Sequence, residues 1–431
     1  MNLESQTLSD MNAPKLRFKE FSGFWNHEKM SNLYSFKVTN SYSRERLNYE
    51  NGLVKNIHYG DIHTKFNTSF DITKERVPFI NEDVVINKIS KDNYCQEGDM
   101  VFADASEDLN DVGKAIEIVF LNKEPILAGL HTLLARPDQK RFFVGFGGYL
   151  FKSNQVRRQI QKEAQGTKVL SISASRISQI DLYFPSLPEQ QKIASFFTAV
   201  DQKLTALKKK KELLEQYKKG VMQKIFSQKL RFKDENGKPF PDWEEKSFKE
   251  LVKLQRGSSP RPIVKYITHQ NNGVNWIKIG DVDIETSTIK YTAQKITPEG
   301  AKKSRYVEKG EIILSNSMSY GIPIVLEISG YIHDGWFVIR NYEKHFEKDF
   351  LKQILGSELI QKQYYNLAAG GVVNNISSEL VYSVKIYLPS IKEQQKIADF
   401  LSALDKKIEA VQKQIEKTEQ WKKGLLQQMF V

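Results

Sequence analysis

The chain carries the same long segment twice, and this duplication constrains its architecture more than any other feature. The run Glu-Gln-Gln-Lys-Ile-Ala begins at Glu189 and again at Glu393, an offset of 204 residues. The two stretches that contain these runs, 185–204 and 389–408, are identical at 12 of 20 positions. A constant offset with this identity indicates duplication and not a chance likeness of composition.

Both segments are predicted to be helices of about 40 residues, roughly 60 Å long. Pro188 suits the first helical turn, and Glu189 and Glu393 complement the positive end of the helix dipole. Apolar residues then recur at the three-four spacing of a coiled-coil seam. The predicted seam is Ile193, Phe197, Val200, Leu204, Leu207 and Leu214 in the first copy, and Ile397, Leu401, Leu404, Ile408, Val411 and Ile415 in the second. We expect the two helices to pair antiparallel with each other; the alternative is two independent amphipathic helices, each packed on its own domain.

The duplication extends beyond the helices. Leu-Arg-Phe-Lys occurs at Leu16 and at Leu230, and a tryptophan follows each time, at Trp25 and Trp243. We predict a loose N-terminus at 1–14, a globular domain at 15–186, a helix at 187–229, a second domain at 230–390 and a final helix at 391–431. Strand, turn and helix patterns alternate in both domains, so the fold class is α+β or mixed: two globular α/β domains separated by two long antiparallel coiled-coil helices, an internal pseudo-twofold repeat.

The charge of the chain favours a polyanionic partner. Lys and Arg number 64 against 52 Asp and Glu, for a net charge of +12, and nucleic acid is the most frequent partner of such a chain. The single cysteine, Cys95, permits no internal disulfide or zinc cluster and is expected to be a buried apolar residue. The N-terminus lacks the pattern of a signal peptide, and no apolar run has the length of a membrane span, so we expect a cytoplasmic protein.

One family matches this plan closely. A strand ending in proline, a Glu-Gln-Gln-Lys-Ile-Ala helix and a Lys-Lys-Gly closure at Gly220 and Gly424 occur twice. Looser motifs lie at 98–108, 310–319 and 370–376. The chain thus resembles the specificity (S) subunit of type I restriction–modification systems of bacteria and archaea.

The resemblance implies a division of labour between subunits. Each domain would be a target recognition domain that reads one half of a bipartite, asymmetric site on double-stranded DNA. The coiled coil would set the spacer and dock two modification (methyltransferase) subunits, and restriction (translocase–nuclease) subunits would complete the complex. This chain would bind no cofactor; S-adenosylmethionine, ATP and Mg²⁺ would be bound by the partner subunits.

The residues themselves also point to a non-catalytic chain. No Asn-Pro-Pro-Tyr or Asp-Pro-Pro-Tyr element for base methylation occurs, no Gly-Lys pair has the spacing of a P-loop, and no histidines have metal-ligand spacing. The alternatives are a coiled-coil scaffold that binds only protein, a DNA-binding subunit of another multisubunit DNA-modifying system, or a chain with its own nuclease or methyltransferase activity.

Candidate DNA-contacting residues are the Lys, Arg, Asn, Ser and Tyr residues of turns and loops, because these side chains form hydrogen bonds with phosphates and base edges. In the first domain they are Ser106, Lys114, Arg136, Arg157, Arg158 and Lys168. In the second they are Arg256, Ser258, Arg261, Lys278, Asn316, Ser319, Tyr320, Asn374 and Asn375. We predict no catalytic residue and no metal ligand.

Overall fold

A computed structural model of the protein describes residues 13–283, 288–317, 321–368 and 376–431. The chain divides into two compact units: unit 1 comprises Met1–Leu207 and Gln414–Val431, and unit 2 comprises Lys208–Lys413. The division passes through both long helices. Each unit therefore contains one globular domain, part of the central helix and part of the C-terminal helix.

Unit 1 contains thirteen strands among the described residues: β1 (Asn26–Lys29), β2 (Tyr34–Lys37), β3 (Leu47–Asn48), β4 (Lys55–Ile57), β5 (Ser69–Asp71), β6 (Phe79–Ile80), β7 (Met100–Ala103), β8 (Ala105–Ser106), β9 (Ala115–Phe120), β10 (Ile126–Ala128), β11 (Thr132–Pro137), β12 (Leu170–Ser171) and β13 (Asp181–Phe184). Its helices are α1 (Tyr59–Thr64), α2 (Gly147–Lys152), α3 (Asn154–Glu163) and α4 (Ala174–Ile177), and the central long helix is α5 (Leu187–Phe226).

Unit 2 adds twelve strands over the part that the structure describes: β14 (Glu244–Ser247), β15 (Lys253–Arg256), β16 (Ile267–Thr268), β17 (Val274–Ile277), β18 (Thr288–Ile289), β19 (Gln294–Ile296), β20 (Arg305–Val307), β21 (Ile312–Ser315), β22 (Pro323–Leu326), β23 (Gly330–Ile332), β24 (Trp336–Arg340) and β25 (Lys385–Leu388). Its helices are α6 (Phe248–Leu251), α7 (Pro298–Ala301), α8 (Lys348–Leu355), α9 (Glu358–Ala368) and α10 (Ser378–Tyr382), and the C-terminal long helix is α11 (Ile391–Gln428).

A five-stranded sheet divides the interior of unit 1 into two cores. The strand order is β2-β11-β7-β9-β5. Because successive strand residues point to opposite faces, Met100 and Phe102 of β7 lie in the core shared with the long helices, whereas Val101 and Ala103 lie in a second core. The second core also contains Ile57 of β4 and Ile126 of β10, which belong to the four-stranded sheet β10-β4-β6-β3.

Unit 2 repeats this two-sheet arrangement with one additional strand. Its first sheet has the order β15-β24-β21-β22-β18, and its second sheet, β16-β19-β17-β23-β20, contains the same four strands in the same order plus the additional β20. Two parallel pairs also recur at corresponding places: β5 with β9 and β18 with β22, and β4 with β10 and β17 with β23. The duplication therefore includes the interiors of the two domains, where the sequence shows little identity.

The long helices pair within each unit. In unit 1 the start of α5 runs antiparallel to the end of α11: the ring of Phe197 lies 6.1 Å from that of Phe430, and Asp201 pairs with Lys422. In unit 2 Lys218 Nζ lies 2.6 Å from Asp405 Oδ1. Nine of the twelve predicted seam residues are buried, and Leu207, Leu214 and Ile408 are half-buried.

The helices also pack on the domains. Ile193 and Phe197 of α5 belong to the same core as Trp25 and Tyr149 of unit 1. The seam and the domain core are therefore continuous in each unit. The helices pair with each other and also pack on the domains, so both arrangements that the sequence left as alternatives occur together. Over the described residues, no helix is both long enough and apolar enough to cross a membrane.

Candidate nucleic-acid interface

The repeated sequence motifs form a rigid frame that joins each domain to its helix. Arg17 donates from Nε and Nη2 to the two carboxylate oxygens of Glu189 at 2.7 and 2.6 Å. Arg231 does the same with Glu393 at 2.8 and 2.9 Å. Both glutamates are buried, so each repeated Leu-Arg-Phe-Lys segment supplies the cation that balances a buried anion at a helix start. Such two-bond pairing is specific to arginine.

The residue after each glutamate holds the loop that precedes the helix. Gln190 accepts the Phe143 N–H at 2.9 Å and donates to the Pro185 carbonyl at 2.9 Å. Gln394 accepts the Glu347 N–H at 2.9 Å and donates to the Pro389 carbonyl at 3.0 Å. The Glu-Gln motif is therefore structural in both copies.

A second repeated pair lies inside each domain. Arg136 of β11 bonds to both carboxylate oxygens of Asp99 at 2.9 Å, and Arg340 of β24 bonds to Glu311 at 2.7 and 3.1 Å. Arg136 also donates to Asp92 and to the Tyr94 carbonyl. Its side chain is 11% exposed, so the structure places this predicted DNA contact among the residues that hold the domain together.

Three further candidates of unit 1 differ in their exposure. Arg157 is turned inward and donates to the carbonyls of Asn110, Val112 and Gly113 at 2.6 to 3.0 Å, so it supports the loop that contains them; burial lowers its pKa. Arg158 and Lys168 are exposed.

Ser106 and Lys114 lie beside a cluster of aromatic side chains that the sequence analysis did not single out. Lys114 Nζ donates to the His63 carbonyl at 2.8 Å, and Ser106 Oγ accepts the Asp108 N–H at 3.0 Å. The ring of Tyr59 lies 4.7 Å from that of His58, 6.1 Å from His63 and 5.3 Å from His131. His58 and His63 lie close to Tyr59 in the sequence, but His131 is far from them and no motif joins the three, so only the fold could reveal the complete cluster.

Arg44 completes this cluster. Its Nη1 and Nη2 donate to Asp61 at 2.6 and 3.1 Å, and Nη2 lies 3.2 Å from His58 Nδ1. Burial, reinforced by the positive charge of Arg44, lowers the pKa of His58 to about 4. His58 is therefore neutral at physiological pH, and its Nδ1 accepts hydrogen bonds.

In unit 2 the candidates gather around the turn His333-Asp334-Gly335. Arg256 Nε and Asn316 Nδ2 donate to the Asp334 carbonyl at 3.0 and 2.9 Å, and Arg261 Nη2 donates to its carboxylate at 3.1 Å. The Ser258 N–H bonds to the Ile332 carbonyl at 3.2 Å, next to the same turn.

Lys278 lies near the turn because the next residue, Ile279, bonds to it. The Ile279 N–H bonds to His333 Nε2 at 3.1 Å, and Lys278 Nζ donates to Gln294 at 2.9 Å. All five described candidates of unit 2 thus surround one turn, whose aspartate the sequence analysis missed. Ser319, Tyr320, Asn374 and Asn375 lie outside the described residues. Contact of any of these candidates with DNA stays a prediction.

The arrangement suits recognition by hydrogen bonding. Both units place guanidinium, imidazole, hydroxyl and amide groups on loops, and rigid sheets position those loops. Such side chains bind phosphates and base edges. Among the described residues, no group of three or more His, Cys, Asp or Glu side chains has the geometry of a metal site.

Comparison with known proteins agrees with this architecture. The family model for the type I restriction modification DNA specificity domain matches residues 63–216 and 241–420. The chain is 28% identical over 326 residues to the type I restriction enzyme MjaVIII specificity subunit of Methanocaldococcus jannaschii, with 72% of this chain and 74% of that protein covered.

Two solved structures share the fold. The S subunit of a type I restriction–modification system from M. genitalium has a TM-score of 0.57 at 16% identity, with 97% of this chain and 99% of that chain covered. A structure that describes complex assembly and conformational transition of the type I R-M system has a TM-score of 0.59 at 14% identity, with 95% and 98% covered. Since the family model spans more than half of the sequence in two stretches, the chain belongs to the type I restriction–modification DNA specificity family.

Proposed function

We propose that this chain is the DNA-reading subunit of a type I restriction–modification complex and that each unit reads one half of a bipartite, asymmetric site. The supporting observation is the repeated fold with unlike polar loops. The frame contacts recur in both units, and so does the strand order. The loop chemistry does not recur: histidines surround Tyr59 in unit 1, and Asp334 organises unit 2. Equal scaffolds with unequal reading loops suit two different half-sites.

The coiled coil is proposed to set the distance between the half-sites. Readers of two half-sites bind positions about one helical turn apart, roughly 35 Å, on one face of DNA. An antiparallel pair of helices is stiff along its axis, and its seam is continuous with both domain cores. The length of the coiled coil would therefore fix the length of the spacer, and its sequence would have no effect on which half-site sequences are recognised.

The chemistry is proposed to come from partners. We assign methylation to two methyltransferase subunits that use S-adenosylmethionine, and translocation and cleavage, with ATP and Mg²⁺, to restriction subunits. This chain would be non-catalytic and, as a reader of cellular DNA, cytoplasmic. Incubating the pure chain with DNA, Mg²⁺ and S-adenosylmethionine should give neither methylation nor cleavage, and activity of the pure chain would refute this assignment.

Two equivalent exposed aromatic residues support a partner that binds twice. The end of α11 exposes Trp421, at 50%, and the equivalent position of α5 exposes Tyr217, at 54%. The helix starts likewise expose Leu187 and Ile391. Aromatic side chains are enriched in protein–protein interfaces, and two aromatic residues at matching positions predict two copies of one partner.

The test is the stoichiometry of the complex with the methyltransferase subunit. Mass photometry should give two methyltransferase subunits per chain for the natural protein, and one for either Trp421→Ser or Tyr217→Ser. Arg158→Ser, at an exposed position of α3 in unit 1, serves as the control. Unchanged stoichiometry in both aromatic variants would exclude Trp421 and Tyr217 as docking residues.

A further inference from the structure

One loop occupies the same place in both units and carries an exposed arginine each time. The loop follows β2 in unit 1 and β15 in unit 2, the corresponding edge strands of the five-stranded sheets. Its start is fixed in the same way: the Asn40 N–H bonds to the Ala128 carbonyl at 3.0 Å, and the Ser258 N–H to the Ile332 carbonyl at 3.2 Å. Ala128 and Ile332 are the last residues of the corresponding strands β10 and β23. Arg44 lies on the first loop and Arg261 on the second.

Each of these arginines is held by an aspartate from a different part of its unit. Asp61 on α1 receives two hydrogen bonds from Arg44, at 2.6 and 3.1 Å, and its side chain is 1% exposed. Asp334, on the turn between β23 and β24, receives one bond from Arg261 at 3.1 Å and one from Ser259 Oγ at 2.6 Å. The loop position is therefore shared, whereas the anchor that orients the guanidinium is not.

Both guanidinium groups remain available for a further partner. The Arg44 side chain is 43% exposed and that of Arg261 is 80% exposed. Arginine has five N–H donors in a fixed planar geometry, and the bonds to the aspartates occupy only some of them. An arginine oriented in advance loses less conformational entropy when it binds.

The aspartate favours a base contact over a phosphate contact. A carboxylate about 3 Å from the guanidinium offsets its positive charge and would repel a phosphate, so the pair is a weak phosphate clamp. The remaining N–H groups can still donate to neutral acceptors. Guanine N7 and O6 in the major groove accept two parallel bonds from arginine, and this pairing is the commonest specific contact in protein–DNA complexes.

We infer that Arg44 and Arg261 are specificity-determining residues, each reading one guanine of its own half-site, and that Asp61 and Asp334 are the positioning residues that aim them. This inference rests on the proposed function. The different anchors orient the two arginines differently from one shared loop position, so the guanine takes a different place in each half-site.

The experiment measures methylation by the complex of this chain with its methyltransferase subunits, on a DNA library in which each base pair of the site is varied singly. The variants are Arg44→Lys and Arg261→Lys, which keep the charge and lose the planar donor pair. Each should lower discrimination at a single G·C pair by tenfold or more in one half-site only. The other half-site is the internal control, and Arg176→Lys, at an arginine that is 41% exposed and lies 3.3 Å from Glu163, should change neither.

Three outcomes would overturn the inference. Uniform weakening over all sequences in the charge-removing variants Arg44→Gln and Arg261→Gln, with the slope of log affinity against log salt reduced in magnitude by about one, would show a phosphate contact. An unchanged sequence profile for both lysine variants would show that neither arginine reads a base. Sequence-independent methylation by the unaltered complex would instead defeat the proposed function itself. If Arg44→Lys fails to fold, Arg261→Lys still decides the matter, because that side chain is mostly exposed.

Discussion

Removing Arg231 should destabilise unit 2 strongly, because it leaves a buried anion without its cation. Glu393 accepts two bonds from Arg231, at 2.8 and 2.9 Å, and one from Trp243 Nε1 at 3.0 Å. The Glu393 side chain has no exposed surface, and that of Arg231 is 23% exposed, so solvent screens the pair only weakly. Loss of one partner from a buried pair costs about 3–5 kcal/mol.

The change is Arg231→Met, which approximates the length of the arginine stem and removes the charge. For a unit of about 200 residues, 1 kcal/mol corresponds to about 2–4 °C in Tm, so the variant should melt roughly 10 °C lower by calorimetry. The double variant Arg231→Met/Glu393→Leu removes both charges and should recover most of this loss. The equivalent change in unit 1, Arg17→Met, should act similarly through Glu189. A cost below about 1 kcal/mol would refute the argument that the pair is a buried structural contact.

Three further predictions concern the pH response, the reading loop and the spacer. Burial raises the pKa of Glu117 from 4.5 to about 7, so the folded chain keeps a proton that the unfolded chain releases. The free energy of unfolding should therefore fall by up to about 3 kcal/mol between pH 4.5 and 7. Urea titrations should show that this fall is absent in Glu117→Gln. A Cβ at Gly257 would lie 2.0 Å from the His333 carbonyl oxygen, so Gly257→Ala should impair recognition of one half-site in a methylation assay, whereas Gly280→Ala, which meets nothing within 4 Å, should not. Inserting four residues in both long helices lengthens each helix by about 6 Å. In a library of half-sites at different spacings, the preferred spacer should change while the half-sites stay the same. An unchanged spacer would contradict the proposed role of the coiled coil.

The parts of the fold that could be predicted from the sequence are those in which the two copies lie a constant number of residues apart. The start of α5 at Leu187 follows directly from the repeated motif, and the heptad spacing identified the seam. The partners of that motif were beyond reach: Arg17 precedes Glu189 by 172 residues, and no local pattern joins them. The repeated sheets were hidden for a different reason, because a buried strand needs only apolar residues of suitable size, so β7 and β21 share a position without sharing a sequence.

The candidate site was predicted in part. Choosing Arg and Lys near turns identified Arg256 and Arg261, which are exposed, and also Arg136 and Arg157, whose donors are used within the domain. Residue type alone cannot separate these groups, because an arginine bonds equally well to a carbonyl inside the domain and to DNA outside it. One signal was available: Arg136 and Arg340 lie 204 residues apart, which is the offset of the two long helices, and this indicates a structural role.

The most direct test of the central claim is sequencing of DNA methylation in cells with and without this gene, in a host that contains the matching methyltransferase subunit. The account predicts that one bipartite, asymmetric methylated motif is present with the gene and absent without it. Persistence of every methylated motif after deletion, while the methyltransferase subunit is still produced and still binds this chain, would contradict the claim that this chain selects the sequence.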